Sequence, residues 1–170
     1  MTNLHEPEWQ AERRGRRRAA VAAPAGAQRL GASVIELAPG ALSSPYHFHH
    51  ANEELLVVLT GTPELRTPGG LRELAPGDVV AFPRGSDGAH RLRNPSPEPC
   101  RVLIVSEMHY PDVVEYLDTG AVLTLSGPRG AQAFPGGSDR PLRDVVVAAL
   151  DADLSRAVGP QDGPSAPGEP

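Results

Sequence analysis

Cys100 is the sole cysteine in this 170-residue sequence, so no disulfide can form within the chain, and a reducing cytoplasm is its expected setting. No apolar run approaches the roughly 20 residues that a membrane helix requires, so no membrane partner is expected. Aromatic residues are scarce, with one tryptophan, three tyrosines and three phenylalanines, so a core must be built chiefly from aliphatic side chains. The formal charge of −5 argues against nucleic acid as a partner. No internal repeat is visible. Proline and glycine, by contrast, are plentiful, at 19 and 18 residues, and they interrupt the chain too often for long helices. The length suits one domain.

Positive charge is concentrated in RRGRRRAAVAAPAG, residues 13–26. Paired arginines can open an export signal, but the apolar part that follows is short and is broken by Pro24 and Gly26. The run reads instead as the solvated face of a first strand. Trp9, in the polar segment before it, is a candidate anchor onto the domain.

From there the chain reads as short strands between turn signals. Residues 28–38, 53–59, 78–83, 89–94 and 101–108 are the clearest, and PGG at 68–70 lies between two further short runs as a hairpin signature. Regular spacing of this kind predicts an all-β sandwich or barrel. Beyond Leu125 the pattern changes. Residues 126–141 read as loop, 142–158 carry the periodicity of one helix, and 159–170 have the composition of a disordered tail.

Chemistry concentrates in PYHFHHANEELLVVLTG, residues 45–61, which holds three of the six histidines and two adjacent glutamates. In a strand, residues i and i+2 share a face, so His47 and His49 point one way and Phe48 the other. Two neighbouring imidazoles need polar partners if they are buried. A divalent metal satisfies both at once, and neutral imidazole is its commonest ligand. In AHRLRN, residues 89–94, Arg91 and Arg93 share a face that seeks water, so His90 and Leu92 point inward.

These residues resemble the two ordered motifs of the cupin superfamily. The first is matched by Gly40, His47, His49, Glu54 and Gly61, with a spacer before His47 that is one residue longer than usual. The second is matched by Gly77, Pro83, Gly85, His90 and Asn94. The histidine slot expected soon after Gly85 holds Gly88, yet the spacing from His90 to Asn94 is intact, so the loop is simply two residues longer. The later HYPDVVEYLDTG is also similar to a segment of small single-domain cupins, with Leu117 and Ala121 as departures. The resemblance implies a double-stranded β-helix, the cupin jelly roll, over residues 28–125. Residues 1–27 then form an N-terminal extension that offers a first edge strand.

The resemblance further implies one divalent ion, of Fe, Mn, Ni, Cu or Zn, held by His47, His49, Glu54 and His90. Glu54 is preferred to Glu53 because six residues separate it from Gly61. Its strand phase differs from that of the histidines, so a bulge or bend is expected between them. His5, His50 and His109 read as surface or supporting residues, and Cys100 as an unreactive small one. A divalent ion with one glutamate leaves about one positive charge, which suits an anionic or enolate-like oxygen. Leu56, Val58, Phe82 and Leu92 predict a mostly apolar cavity, with Tyr46 and Glu36 as polar additions. The implied function is a metal-dependent enzyme on a small molecule, of dioxygenase or isomerase/epimerase type. The alternative is a non-catalytic cupin that binds or senses a small ligand. An exposed edge at 16–21 or 28–38 would allow a homodimer.

Overall fold

Turn residues divide the chain into thirteen short strands in the computed structural model, which describes residues 2–127 and 130–135. The strands are β1 Ala11–Arg13, β2 Arg16–Ala20, β3 Leu30–Leu37, β4 His47–His49, β5 Glu54–Thr60, β6 Glu64–Thr67 and β7 Gly70–Glu73. They continue as β8 Val79–Phe82, β9 Arg91–Arg93, β10 Cys100–Glu107, β11 Asp112–Tyr116, β12 Ala121–Gly127 and β13 Gly130–Phe134. A single 3-10 turn, Ser86–Gly88, is the helical element among the described residues. The expected helix at 142–158 and the tail at 159–170 lie outside the described residues. Gly130–Phe134 pairs with β12, where turn residues had predicted loop. None of the described helical segments is long and apolar enough to cross a membrane.

All strand pairs among the described residues are antiparallel. One sheet runs β1-β2-β3-β10-β5-β8, a second β13-β12-β11-β4 and a third β7-β6-β9. Two bridges, Leu42 to Arg93 and His47 to His90, join the third sheet to the neighbourhood of β4. The result is the all-β jelly roll that the motif order implied.

Alternation along the strands builds the core. Within β5, Leu56 and Val58 are buried while Leu55 is exposed, so an apolar strand still has an inner and an outer face. Leu56 and Val58 join Ile35, Leu37, Leu65, Leu74, Phe82, Leu92 and Val102 in one cluster. Register fixes the inner face: Glu54 lies opposite Ser106 and Ser106 opposite Gly31, so Glu54 heads the same face that carries the core.

The motif glycines have conformational roles. Gly61 has φ 76°, and a Cβ there would lie 2.6 Å from the Cβ of Cys100. Gly88 occupies the 3-10 turn, and any Cβ would overlap the carbonyl oxygen of Pro83. That close approach explains why no histidine fits at position 88. The turn absorbs the two additional residues and delivers His90 instead.

The outer face of the first sheet is tied by ion pairs. Glu36 receives Arg17 Nη1 at 3.0 Å and Arg101 Nε at 2.6 Å. The guanidinium of Arg17 lies 4.3 Å from the Trp9 ring centre and that of Arg101 5.6 Å, which anchors the N-terminal segment. Glu36 therefore faces away from the barrel interior and is not part of the cavity, contrary to the expectation from sequence.

Candidate metal centre

His47 and His49 stand on one face of β4, with ring centres 5.3 Å apart, and Phe48 turns the other way to pack with Tyr46 and Ala89. Between β4 and β5 the chain bends at His50 and Ala51 and crosses from one sheet to the other. The phase change between His49 and Glu54 is thus a sheet crossing, made at a bend. His90 is brought in by reciprocal backbone bonds, His47 N to His90 O at 3.2 Å and His90 N to His47 O at 2.9 Å. Its ring stacks on Phe82 with centres 3.8 Å apart and planes 9° from parallel.

The ligand atoms of His47, His49 and Glu54 all lie within 4.8 Å of one another. Glu54 Oε2 is 3.6 Å from His49 Nε2 and 3.3 Å from His90 Nε2, and the His47 and His90 ring centres are 4.6 Å apart. An octahedral ion with bonds of about 2.1 Å separates adjacent donors by about 3.0 Å, slightly less than these spacings. His47 and His90 are buried, and the side chains of His49 and Glu54 are only 16% and 12% exposed.

The other ring nitrogens show what the cluster lacks. His47 Nδ1 is 2.9 Å from the Pro45 carbonyl oxygen, His90 Nδ1 is 3.0 Å from that of Gly88, and His49 Nδ1 is 2.6 Å from the Asp112 carboxylate. These three oxygens can only accept, so a ring that keeps its proton on Nδ1 is left with its Nε2 lone pair on the side of the cluster. Burial, and then the neighbouring His90, hold His47 down to about 4 against the pull of Glu54, so it is neutral at neutral pH. Burial pushes Glu54 upward, but its contact with His90 and the adjacent imidazoles outweigh it and keep the carboxyl below its usual range. Satisfying every Nε2 with a proton would crowd imidazoliums together. One divalent cation satisfies the lone pairs and the carboxylate at once, so the donor set fits such an ion.

Asp112 was not singled out by sequence. Its side chain is fully buried and accepts from His49 Nδ1, Ala51 N at 2.8 Å, Asn52 Nδ2 at 2.8 Å and Val113 N at 2.9 Å. Burial raises it, but these bonds outweigh that effect and hold it below the usual carboxylate range. Because β11 pairs with β4, Asp112, Val114 and Tyr116 share a face with the two histidines, a register that only the fold supplies.

A cavity of about 270 Å³ opens from the cluster. Leu92 reaches it, but Leu56, Val58 and Phe82 lie in the core, and Tyr46 packs beneath the Arg66 guanidinium at 3.9 Å, away from the cavity. The lining is more polar than predicted, with Ser33, Ser106, Asn52 and Glu107 among its residues. Glu53 is exposed, His50 pairs with Glu115 at 2.7 Å, and His109 lies 3.4 Å from Glu107.

Comparisons with known proteins agree with this architecture. The family described as Cupin domain matches residues 33–106. No protein of curated function matches the chain. A sugar phosphate isomerase from a cupin superfamily, from Silicibacter pomeroyi, superposes with a TM-score of 0.72 at 23% identity, covering 85% of this chain and 98% of that one. A candidate sugar phosphate isomerase from Acidithiobacillus ferrooxidans gives 0.65 at 29% identity, covering 75% and 81%. The polyketide cyclase RemF from Streptomyces resistomycificus gives 0.56 at 25% identity, covering 66% and 82%. With the two motifs on adjoining strands, the jelly-roll topology and the family match over its central span, the chain belongs to the cupin superfamily.

Proposed function

We propose that His47, His49, Glu54 and His90 hold one divalent metal ion, and that the barrel is an isomerase-class enzyme for a small hydroxy-carbonyl compound. The observation that carries this reading is the convergence of the four side chains, with His49 and His90 Nε2 3.6 and 3.3 Å from one Glu54 oxygen while each histidine's Nδ1 faces an oxygen of the protein. The candidate sugar phosphate isomerase at 29% identity supports the isomerase class. Imidazole and carboxylate together accept Fe, Mn, Ni, Cu or Zn.

When bound, the ion supplies Lewis acidity that polarises a carbonyl or hydroxyl oxygen. The protein contributes orientation and proton transfer. Asp112 and the Pro45 and Gly88 carbonyls fix the ring orientations, and Ser33 and Ser106 offer hydroxyls along the wall. Glu107 lines the cavity outside the ligand cluster, and we assign its carboxylate the movement of a proton between substrate positions.

Elemental analysis of the chain as isolated, together with solvent-deuterium exchange into a panel of hydroxy-carbonyl compounds, tests the proposal. Metal content and exchange should both fall in His49→Ala, whereas His50→Ala should keep both. Metal retained in His49→Ala and lost in His50→Ala would refute the ligand assignment. Dioxygen consumption with a substrate would point to the dioxygenase class instead. If chelation altered neither melting temperature nor exchange, the binding or sensing role would gain.

A further inference from the structure

Arg16 and Arg18 share one face of β2, opposite Leu37 and Ile35 of β3, and those two residues belong to the interior cluster. The arginine run is therefore divided. Arg17 faces outward to Glu36, whereas Arg16 and Arg18 line the cavity that also holds His47, His49 and Glu54.

Among the described residues, five arginines are partly buried: Arg16, Arg17, Arg66, Arg91 and Arg101. Arg17 and Arg101 pair with Glu36, and Arg66 and Arg91 pair with Asp118. Arg16 is the exception. It has no carboxylate partner among the described residues, its Nε is buried without a hydrogen bond, and the charge beside it is a second guanidinium, that of Arg18. The Nε atoms of Arg17 and Arg91 are likewise unbonded, but each of those guanidiniums reaches a carboxylate through Nη1.

The carboxylates that line the same cavity are already engaged. Glu54 faces His49 and His90, Asp112 holds His49 and Asn52, and Glu107 accepts from the backbone N of Glu53 and lies beside His109. Arg16 is partly buried without a carboxylate and has the like charge of Arg18 beside it, so an anion bound between the two would relieve both the lost solvation and the repulsion. A carboxylate has two oxygens and is served by one guanidinium fork, whereas a phosphate monoester has three terminal oxygens and two charges to share between two forks.

We propose that Arg16 and Arg18 bind the phosphate group of a phosphorylated hydroxy-carbonyl compound whose reacting end lies at His47, His49 and Glu54. The assignment of a reacting end rests on the metal-centre reading above; the phosphate subsite stands on the arginines alone. Along the sheet, Arg18 is four residues and three strands from Glu54, a path of roughly 20 Å between Cα atoms at ~3.3 Å per residue and ~4.8 Å per strand. The long arginine side chains and the curl of the sheet shorten that gap. The two groups of the ligand must therefore sit at its opposite ends. The cavity of about 270 Å³ limits it to a small metabolite, since the same volume of liquid is roughly nine waters.

The test uses inorganic phosphate as the probe, titrated calorimetrically at constant ionic strength into metal-replete and chelator-treated chain. Arg16→Gln should weaken phosphate binding at least tenfold in both forms with metal content unchanged. Arg18→Gln should weaken it several-fold, and Arg72→Gln, an exposed arginine on β7, should leave it as in the wild type. Arg18 is exposed, so its variant carries the test if Arg16→Gln fails to fold. The proposal is overturned if wild-type chain ignores phosphate, if Arg16→Gln and Arg18→Gln bind within twofold of wild type, if Arg72→Gln is as weak as they are, or if malonate binds more tightly than phosphate. A chain that takes up no metal, yet loses phosphate binding in the arginine variants, would sink the metal reading and leave the subsite standing. Metal uptake with phosphate binding indifferent to both arginines would sink the subsite alone.

Discussion

Asp112→Asn isolates the residue that positions His49. In the wild type one carboxylate oxygen accepts from His49 Nδ1 and Asn52 Nδ2, and the other from the backbone amides of Ala51 and Val113. Asparagine keeps the volume but offers one oxygen and one NH2, so in either orientation two buried donors meet another donor. At about 1–3 kcal/mol per unsatisfied buried donor, the fold should lose about 2–6 kcal/mol. If the NH2 faces His49, the imidazole must move its proton to Nε2, the atom the ion requires, and metal affinity should fall about 10–100-fold. The assay is competition against a chromophoric chelator, run beside thermal melts below the lowered melting temperature. Asn52→Ala serves as the control. It frees the amide and carbonyl of His109 and removes one bond to Asp112, so it should lower the melting temperature, but it leaves the His49 contact in place and should hold metal normally. Equal metal affinities for Asp112→Asn and Asn52→Ala would refute the orienting role and reduce Asp112 to a structural carboxylate.

Cys100 and Gly61 supply two further tests at the far end of β10. Burial pushes the Cys100 thiol up to about 11, so at pH 8 the thiolate is about one part in 10³ and iodoacetamide should label it only after denaturation. The unfolded thiol ionises near 9 and the folded one near 11, so stability is level below the lower value and falls by up to about 1.4 kcal/mol per pH unit between them. Cys100→Ala should flatten that slope in pH-dependent melts, leaving the part due to Tyr116, whose hydroxyl burial also pushes up, and an unchanged slope would place the titration elsewhere. Gly61→Ala combines a left-handed backbone with a Cβ 2.8 Å from the Cys100 Cα, and should cost about 2–5 kcal/mol by denaturant titration. Because the Cα itself is in the way, Cys100→Ala should not rescue it.

The parts of the molecule legible in the sequence were those set by local spacing. The strand pattern announced β3, β5, the β6–β7 hairpin, β8, β9 and β10; strand phase singled out His47, His49 and His90, and the spacing to Gly61 singled out Glu54, and these four side chains lie close together. What sequence could not supply depended on register between distant strands. Arginines 16 to 18 read as one solvated face, and only the pairing of β2 with β3 shows that Arg17 looks outward and its neighbours inward. Glu36 and Tyr46 were assigned to the cavity for their polarity, but Glu36 is drawn to the outer face by Arg17 and Arg101, and Tyr46 lies under Arg66. Asp112 meets His49 across 63 positions of sequence, and no local pattern around either residue marks the other.

His47 and His49 stand on one wall of the barrel, and Glu54 stands on the wall that faces it. An ion held among them would act on the timing of the barrel's breathing as well as on its equilibrium. The mouth could part only after the ion had left, so deuterium exchange at the reciprocal amides of His47 and His90 would follow the metal's dissociation rate. The part of the core around Leu65 and Leu74, held by aliphatic contact and by strand hydrogen bonds that involve none of the ion's ligands, would keep its own exchange rate whether or not the ion was present.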